Sequence, residues 1–314
     1  MILTVSFPEE EHTEKVHEIL FRKGKEFVLF DLSQFPSSTG FGLRISDDTE
    51  ESTLLINNRA IHCETIKAGW WRRVRPFTIN GSNPQDNAFI QSEASQAIDG
   101  LLDKLQCPWI NPRKDDEIAH RKIYQWSVAR RIGLNLPRTL VTNDPMKARA
   151  FIRDLGIGNV VYKAFLASIN DWRETRILKE TDLQFIENVS IAPVIFQEYI
   201  EGVDLRITVV GDKIFPVSID ARKTSYPADM RMVVGESVVG IEALPKEIEK
   251  KIFLLQKTLN LAYGAIDMRR TNDGKYVFFE VNPAGQWLFA EQHTGLPITE
   301  AVANLLIERS NGIH

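Results

Sequence analysis

The sequence predicts a mixed α/β (α+β) protein, and three observations lead to that fold class. The chain opens with an apolar run over Met1–Phe7, an amphipathic segment over His12–Lys23 and a second apolar run over Phe27–Asp31, the order of a β-α-β unit with parallel strands. Helical and strand-like segments then alternate through the middle of the chain. The last third contains paired strands around short turns at Gly211-Asp212 and Asp273-Gly274, which is typical of antiparallel sheet.

The composition is that of an ordinary globular protein. Of the 314 residues, 43% are hydrophobic and 25% are charged, and the net charge of −4 gives no general attraction to nucleic acid or to a membrane. Cys63 and Cys107 are too few for a disulfide framework, so a reducing cytoplasm is the expected location. We expect no signal peptide, because the short apolar run at the N-terminus is followed by acidic residues, and no membrane helix, because no apolar run approaches about 18 residues.

One cluster of aromatic and basic residues stands out in the first third of the chain. Gly69–Pro76, with the sequence GWWRRVRP, places three arginines beside two tryptophans. Interleaved aromatic and basic residues can bind nucleic acid, but a single cluster in an acidic chain is weak support for that function. A structural strand at a domain junction is the favoured interpretation, and we expect no nucleic-acid partner.

Two prolines, in Cys107-Pro108 and Asn111-Pro112, predict the first domain boundary. The predicted domains are residues 1–112, 113–195 and 196–314. The middle domain opens with a predicted helix over Lys114–Arg131 and contains Lys163 inside an apolar strand pattern. A buried lysine requires a partner, so the anion of a ligand is a fair expectation for Lys163.

The turn at Asp273-Gly274 predicts three oxygen ligands on one face of a hairpin. If these two residues form the loop, Asn272 pairs with Lys275 and Asp267 lies opposite Glu280. Because side chains alternate along a strand, Asn282 shares the face of Glu280, while Phe279 and Val281 point the other way. Two carboxylates and an amide suit a hard divalent cation such as magnesium. The alternative is a solvated polar face.

Together these features resemble the ATP-grasp superfamily over about the last two thirds of the chain. The resemblance implies an ATP-grasp fold behind an N-terminal α/β pre-ATP-grasp domain, with ATP and Mg²⁺ as cofactors. It also implies that residues 113–195 form the central ATP-grasp subdomain and 196–314 the C-terminal subdomain with the metal site. The residues it assigns to the nucleotide are Lys122, Lys163, Gln197, Glu198, Tyr199, Ile200 and Asp204, and those it assigns to the metal are Asp267, Glu280 and Asn282.

One departure from the superfamily concerns the loop that follows Lys163. That loop is usually rich in glycine, whereas Ala164–Glu174 contains no glycine. Backbone amides can cap phosphates without glycine, so ATP binding is still expected, but the way this loop closes is left open.

Within the superfamily the chain is similar to the microviridin-type ligases, the graspetide macrocyclases that modify ribosomally made precursor peptides. The similarity rests on Gly69–Pro76, on Asp220-Ala221-Arg222 as an Asp-x-Arg element, and on Asn282–Ile298 as a C-terminal motif. It implies a precursor peptide with leader and core segments as the partner. It also implies a homodimer, which we expect to form through the first domain near Trp70 and Trp71.

The implied chemistry transfers the γ-phosphoryl group of ATP to a carboxylate, and a hydroxyl or amine then attacks the acyl phosphate. Arg206 is a candidate to contact the γ-phosphate or acyl phosphate, with an exposed strand residue as the alternative. Arg222 is a candidate to orient the acceptor's carboxylate, and Asp220 to accept the proton of an attacking hydroxyl. A surface ion pair between Asp220 and Arg222 is the plainer interpretation.

Two other function classes are weighed against the peptide macrocyclase: a small-molecule carboxylate–amine ligase of the glutathione synthetase or glutamate-adding kind, and a non-catalytic ATP-binding scaffold. The complete metal triad argues against the scaffold. We also expect Thr208–Val239 to dock the leader, with the apolar arms Ile207–Val210 and Ile214–Val217 and a polar tip at Lys223–Asp229. A surface β-meander is the alternative for this segment.

Overall fold

The computed structural model describes residues 1–163, 175–222, 224 and 234–312. Its strands are β1 (Ile2–Val5), β2 (Phe27–Phe30), β3 (Gly40–Ile45), β4 (Glu50–Ile56), β5 (Arg59–His62), β6 (Ala68–Trp71), β7 (Trp109–Ile110), β8 (Thr139–Thr142), β9 (Val160–Lys163), β10 (Arg176–Ile177), β11 (Val194–Glu198), β12 (Gly202–Val210), β13 (Lys213–Asp220), β14 (Val238–Ile241), β15 (Tyr263–Thr271) and β16 (Tyr276–Asn282). Its α-helices are α1 (Glu11–Arg22), α2 (Pro84–Lys104), α3 (Arg113–Ala119), α4 (Lys122–Arg131), α5 (Pro145–Leu155), α6 (Lys246–Thr258), α7 (Leu288–Thr294) and α8 (Ile298–Ser310).

The first third of the chain folds around a parallel sheet with the strand order β2-β1-β6-β7. The predicted β-α-β opening is therefore confirmed, with α1 as the crossover helix. An antiparallel sheet β3-β4-β5 follows, with turns at the polar pairs Asp47-Asp48 and Asn57-Asn58, where the sequence predicts them. Trp70 is 2% exposed in β6, so the tryptophan-arginine cluster contains a core strand, as the structural interpretation of Gly69–Pro76 predicts.

The middle sheet has the order β10-β9-β11-β8 and is antiparallel at each pairing. Helix α5 covers one face, where Ala148 and Ile152 pack with Phe196. The predicted boundary at residue 195 falls inside β11, which pairs along its length with β8 and β9. The chain changes sheet only after Glu198, because backbone pairing continues to that residue.

The large sheet of the last third has the order β14-β13-β12-β15-β16, again antiparallel. One of its faces is apolar and packs on α4 and α6 through Leu205, Ile207 and Phe278. Side chains alternate along a strand, so the residues of β12 and β15 that lie between these apolar ones point to the other face. We call this second side the polar face; its charged and amide members are Asp204, Arg206, Asp267, Arg269, Glu280 and Asn282.

The hairpin of β15 and β16 differs from the prediction at two points that cancel. The turn has three residues, Asn272 to Gly274, instead of two, since the Thr271 amide donates to the Lys275 carbonyl at 2.8 Å. Of these three residues only Gly274 has a positive φ. A β-bulge then adds one residue to β16, at Phe279, and restores the register. Asp267 consequently pairs with Glu280, as predicted. Phe279 does not point away, because its ring lies 5.5 Å from the Arg269 guanidinium on the polar face.

Two further expectations need correction. The predicted helix over Lys114–Arg131 is two helices, α3 and α4, which break at His120 and Arg121 so that Lys122 becomes the first residue of α4. The apolar arms assigned to the leader are core strands: Ile207, Val209 and Val217 are at most 1% exposed, so these side chains offer no surface for docking.

Some expectations fall on residues that the structure does not describe. The loop at Ala164–Glu174 lies outside the described residues, as does the tip at Lys223–Asp229 apart from Thr224. Among the residues that are described, no helix is long and apolar enough to cross a membrane.

Candidate active site

The polar face of the large sheet brings the three predicted metal ligands together. Asp267 and Glu280 are directly opposite in the pairing of β15 with β16, and Asn282 pairs with Ala265 two residues further along the same face. Two cations from outside this hairpin lie against the carboxylates. Lys122 contacts Glu280 through its ammonium group, and Arg206 Nε lies 3.2 Å from Asp267 Oδ1.

The chemistry of this donor set fits a hard divalent cation that completes its shell with phosphate and water. The side chains of Asp267, Glu280 and Lys122 are each 18–20% exposed, so the carboxylates are open to an ion and its ligands. Within the described part of the chain there is no group of three or more His, Cys, Asp or Glu side chains that could hold a metal. Two carboxylates and one amide therefore favour Mg²⁺ shared with a nucleotide over an all-protein cage.

Asp204, the predicted ribose carboxylate, lies on the same polar face with a cation that the sequence did not single out. Arg269 Nε donates to Asp204 Oδ1 at 2.8 Å, and Arg269 Nη1 donates to the Ile200 carbonyl at 2.7 Å. The Arg269 guanidinium also lies 5.9 Å from the ring of Tyr199. Arg269 follows Asp267 by two residues on one strand, so alternation was the signal that could have placed it at the site.

Lys163 and Gln197 lie on one face of the middle sheet. Lys163 pairs with Ile195 and Gln197 pairs with Val161, so these side chains share the side on which Ile195 packs against the core of α4 and the large sheet. Gln197 is 2% exposed and donates to Thr139 Oγ1 at 3.0 Å. Its side chain thus orders the start of the predicted adenine hinge.

The hinge residues after Gln197 are fixed by backbone contacts to the middle sheet. The Glu198 amide donates to the Arg138 carbonyl at 2.9 Å, and the Glu198 side chain accepts from the Arg138 amide at 3.3 Å. The Tyr199 amide donates to the Asn159 carbonyl at 2.8 Å. These bonds hold the segment that joins the two sheets, with Ile200 at the end nearest Arg269.

Asp220 and Arg222 are not brought to the metal ligands. Arg206 pairs with Val217, so Asp220, three residues further along β13, points to the opposite side of the sheet. The two residues form a bidentate ion pair, with Arg222 Nε and Nη2 at 2.8 and 2.6 Å from the carboxylate oxygens, and this contact raises the pKa of Arg222. They line a separate cleft of about 310 Å³ with Ser218, Arg270 and Asn272.

Family models match both parts of this architecture. The RimK-like ATP-grasp domain matches residues 119–306, and the MvdD pre-ATP grasp domain matches residues 1–117. The first match covers more than half of the chain, so the protein belongs to the RimK-like ATP-grasp family, whose members use ATP. The fold is accordingly an ATP-grasp fold with a pre-ATP-grasp domain at its N-terminus.

Solved structures extend the similarity over nearly the whole chain. The macrocyclase MdnC of Microcystis aeruginosa MRC, bound with precursor peptide MdnA, is 28% identical, with 98% of this chain and 99% of that chain covered and a TM-score of 0.86. The macrocyclase MdnB of the same organism is 26% identical, with 98% of each chain covered and a TM-score of 0.82. A RiPP-associated ATP-grasp ligase of Chryseobacterium gregarium, at 24% identity, shows the shared fold, with a TM-score of 0.86 and 98% and 96% covered.

A further relative matches a smaller part of the chain. The D-alanine–D-alanine ligase of Aquifex aeolicus (strain VF5) is 25% identical over 204 residues, which are 59% of this chain and 66% of that protein. The predicted resemblance to ATP-grasp enzymes and to peptide macrocyclases is confirmed by these matches. The individual assignments of Lys122, Lys163 and Asp204 to the nucleotide stay predictions.

Proposed function

We propose that the protein is an ATP-dependent ligase that cross-links a ribosomally made precursor peptide. It activates side-chain carboxylates as acyl phosphates and closes them onto hydroxyl or amine side chains, forming esters or amides. The observation that carries this proposal is the polar face, where Asp267, Glu280 and Asn282 lie beside Lys122 and Arg206. Similarity over 98% of the chain to a macrocyclase bound with its precursor peptide supports the choice of substrate.

Asp267, Glu280 and Asn282 would hold Mg²⁺, which would neutralise charge on the phosphate oxygens of ATP. Lys122 and Arg206 already contact these carboxylates, so both cations stand at the place where phosphate charge is to be stabilised. Lys163 adds a further positive charge from the middle sheet. Because phosphoryl transfer spreads negative charge over oxygens, catalysis here consists mostly of positioning and cationic stabilisation.

Arg206 is the side chain that we assign to the γ-phosphate and the acyl phosphate. It is 8% exposed and lies between Asp267 and the ring of Phe289, 5.7 Å from its guanidinium. This placement disfavours the alternative of an exposed strand residue. A guanidinium held on both sides can donate to phosphate oxygens without first losing much conformational freedom.

The nucleoside would lie where the hinge meets the polar face. Gln197, Glu198, Tyr199 and Ile200 supply the backbone for the adenine, and Asp204 supplies the carboxylate for the ribose. Arg269 orients Asp204 through a charge-assisted hydrogen bond. The roles of Asp220 and Arg222 toward the acceptor stay proposals, and the site described above does not depend on them.

We further propose a homodimer formed through the first domain and a cytoplasmic location, where ATP is available. Trp70 is in the core, so the contact must use other side chains. Phe41, Leu43 and Ile45 share one face of β3, an edge strand, and are 37–70% exposed. Ile45→Glu should give a monomer by light scattering at micromolar concentration; a monomeric unmodified protein would end the proposal.

The function is tested with a precursor peptide, which we expect to be encoded near the gene by a short reading frame with repeated Thr or Ser and Asp or Glu residues. With ATP and Mg²⁺, mass spectrometry should show the loss of one water per cross-link together with release of ADP. Removal of the peptide's leader should slow ring formation while basal ATP hydrolysis persists. Coupling of free amino acids with no change in the peptide would instead favour the small-molecule ligase, the activity class named for the Aquifex aeolicus relative.

A further inference from the structure

Side chains of the first domain make several of the hydrogen bonds that hold the segment after Asn282. Arg72, in the loop after β6, donates from Nη1 to the carbonyls of Ala284 and Gly285 at 2.6 and 2.9 Å. His12 Nε2 accepts from the backbone amides of Trp287 and Leu288 at 3.2 and 3.4 Å. These contacts cross more than 200 residues of sequence.

Arg72 is linked to a proposed metal ligand by two consecutive hydrogen bonds. It fixes the carbonyl of Ala284, and the amide of the same residue donates to Asn282 Oδ1 at 3.0 Å. The carboxamide of Asn282 is thereby turned so that its oxygen keeps a second lone pair for a cation. A shift of the Ala284 backbone would turn that oxygen as well.

Arg72 and Glu10 are buried against each other, with Arg72 Nη2 3.4 Å from Glu10 Oε1, which restricts the movement of this anchor. Burial by itself raises the pKa of Glu10, but the hydrogen bond from His12 and the charge of Arg72 together lower it to about 2. Because His12 Nε2 accepts from Trp287, Nδ1 carries the proton and donates to Glu10 Oε1 at 3.0 Å. The Arg72 guanidinium also lies 4.8 Å from the ring centre of Trp287.

Two other contacts restrict the same segment. Asn111 Nδ2 donates to the Pro283 carbonyl at 3.1 Å, and the Tyr263 hydroxyl donates to the Gly285 carbonyl at 2.8 Å. A Cβ atom at Gly285 would lie 2.3 Å from the Cβ of Ala265, the residue paired with Asn282. The turn is therefore pressed onto β15, and its position depends on the donors that hold it.

We propose that Arg72 is a positioning residue for the metal site, acting through Ala284 on the side chain of Asn282. The first domain then has a part in the reaction beyond any contact with peptide, because it supplies the group that orients a cation ligand. This inference rests on the proposed function, since it takes Asn282 as a ligand of the metal. Removal of a group that bonds directly to a metal ligand typically weakens metal affinity by about 10–100-fold, and Arg72 acts one residue further away, so we expect the lower end of that range.

The test measures Mn²⁺ bound to the full-length protein with ADP, by electron paramagnetic resonance. Arg72→Lys keeps the buried charge but loses the planar guanidinium, whose Nη1 donates to both carbonyls while Nη2 contacts Glu10, so Mn²⁺ should bind about tenfold more weakly. Arg309→Lys is the matched control, because Arg309 is a part-buried arginine that donates to the Trp109 carbonyl and not to this segment. It should bind Mn²⁺ as the unmodified protein does.

Action through Asn282 is tested by a double-mutant cycle. If Arg72 works by orienting Asn282, then Arg72→Lys should weaken Mn²⁺ binding little further once Asn282→Ala is present. The same tenfold loss in both backgrounds would overturn the inference, as would an Arg72→Lys protein that binds Mn²⁺ normally.

If Arg72→Lys does not fold, Tyr263→Phe offers a second test, because it removes another donor to Gly285 and should weaken Mn²⁺ binding severalfold. Unchanged binding in that variant would count against the proposal. An unmodified protein that binds no Mn²⁺ with ADP would contradict the proposed function instead.

Discussion

Two groups of charged side chains in this protein contain similar residues and differ in their surroundings. Glu10 and Arg72 are at most 4% exposed and contact fixed partners, a histidine and backbone carbonyls. Glu280 and Lys122 also form an ion pair, but their side chains are 20% and 18% exposed at the polar face. The buried group can only hold structure, whereas the open group can exchange its partners for a ligand. Exposure, more than residue type, separates positioning from chemistry here.

The largest effect should come from removing a charge of the open group. Glu280→Gln should lower turnover by about 100-fold or more, because the cation site loses one of its two carboxylates, while the unfolding transition changes little. Steady-state ADP release and thermal unfolding measure the two quantities. Glu247→Gln, which removes an exposed carboxylate on α6, is the matched control. Full activity of Glu280→Gln would remove the metal assignment.

A substitution at Gly285, beside the buried group, should lower the free energy of unfolding. Gly285→Ala should destabilise the protein by about 1–3 kcal/mol, because the new methyl group overlaps the Cβ of Ala265. Gly100→Ala is the control, since nothing lies within 4 Å of the new atom inside helix α2, and it should stabilise by about 0.5–1 kcal/mol. Denaturant unfolding measures both. Equal stability of the two variants would show that the turn after Asn282 is not tightly packed.

Low pH should lower the free energy of unfolding through Glu10 of the buried group. Glu10 has a lowered pKa, about 2 against 4.5 when unfolded, so its stabilisation is present above pH 4.5 and is lost as the pH falls toward 2. The free energy of unfolding should therefore drop by about 3 kcal/mol across this window relative to Glu10→Gln, which has no such proton to bind. Denaturant titrations at several pH values measure the difference. Parallel curves for the two proteins would exclude a strongly perturbed Glu10.

The smallest effect is expected at the ion pair on the far side of the sheet. Arg222→Lys should leave nucleotide binding and the unfolding transition unchanged, because the pair is exposed and distant from the polar face. If Arg222 orients the acceptor, the KM for peptide should rise about fivefold, since lysine lacks the bidentate fork. An unchanged KM would leave the pair with a surface role only.

Local patterns in the sequence were enough to predict most strands and the grouping of the three proposed metal ligands on one face. The β-α-β opening, the hairpin at Gly211-Asp212 and the identities of Asp267, Glu280 and Asn282 follow from alternation and turn residues, which are short-range properties. The break between α3 and α4 could not be predicted, because no proline or glycine marks it. The pairing of Asp267 with Glu280 was predicted correctly, although the predicted turn was one residue too short and the bulge was not predicted, because the two errors offset each other.

The sequence by itself determined the fold class and the family, and it placed Asp267, Glu280 and Asn282 on one face, because these features depend on periodicity and on motifs within single elements. Only the tertiary structure decided that Asp220 lies on the far side of the sheet, that Arg269 accompanies Asp204, and that Arg72 holds the turn after Asn282. The reason is physical: the face of a side chain depends on strand register, and the partners of a buried charge come from segments distant in sequence. Alternation along β15 can place Arg269 on the face of Asp267, but no local pattern identifies Asp204 as its partner or the turn after Asn282 as the partner of Arg72.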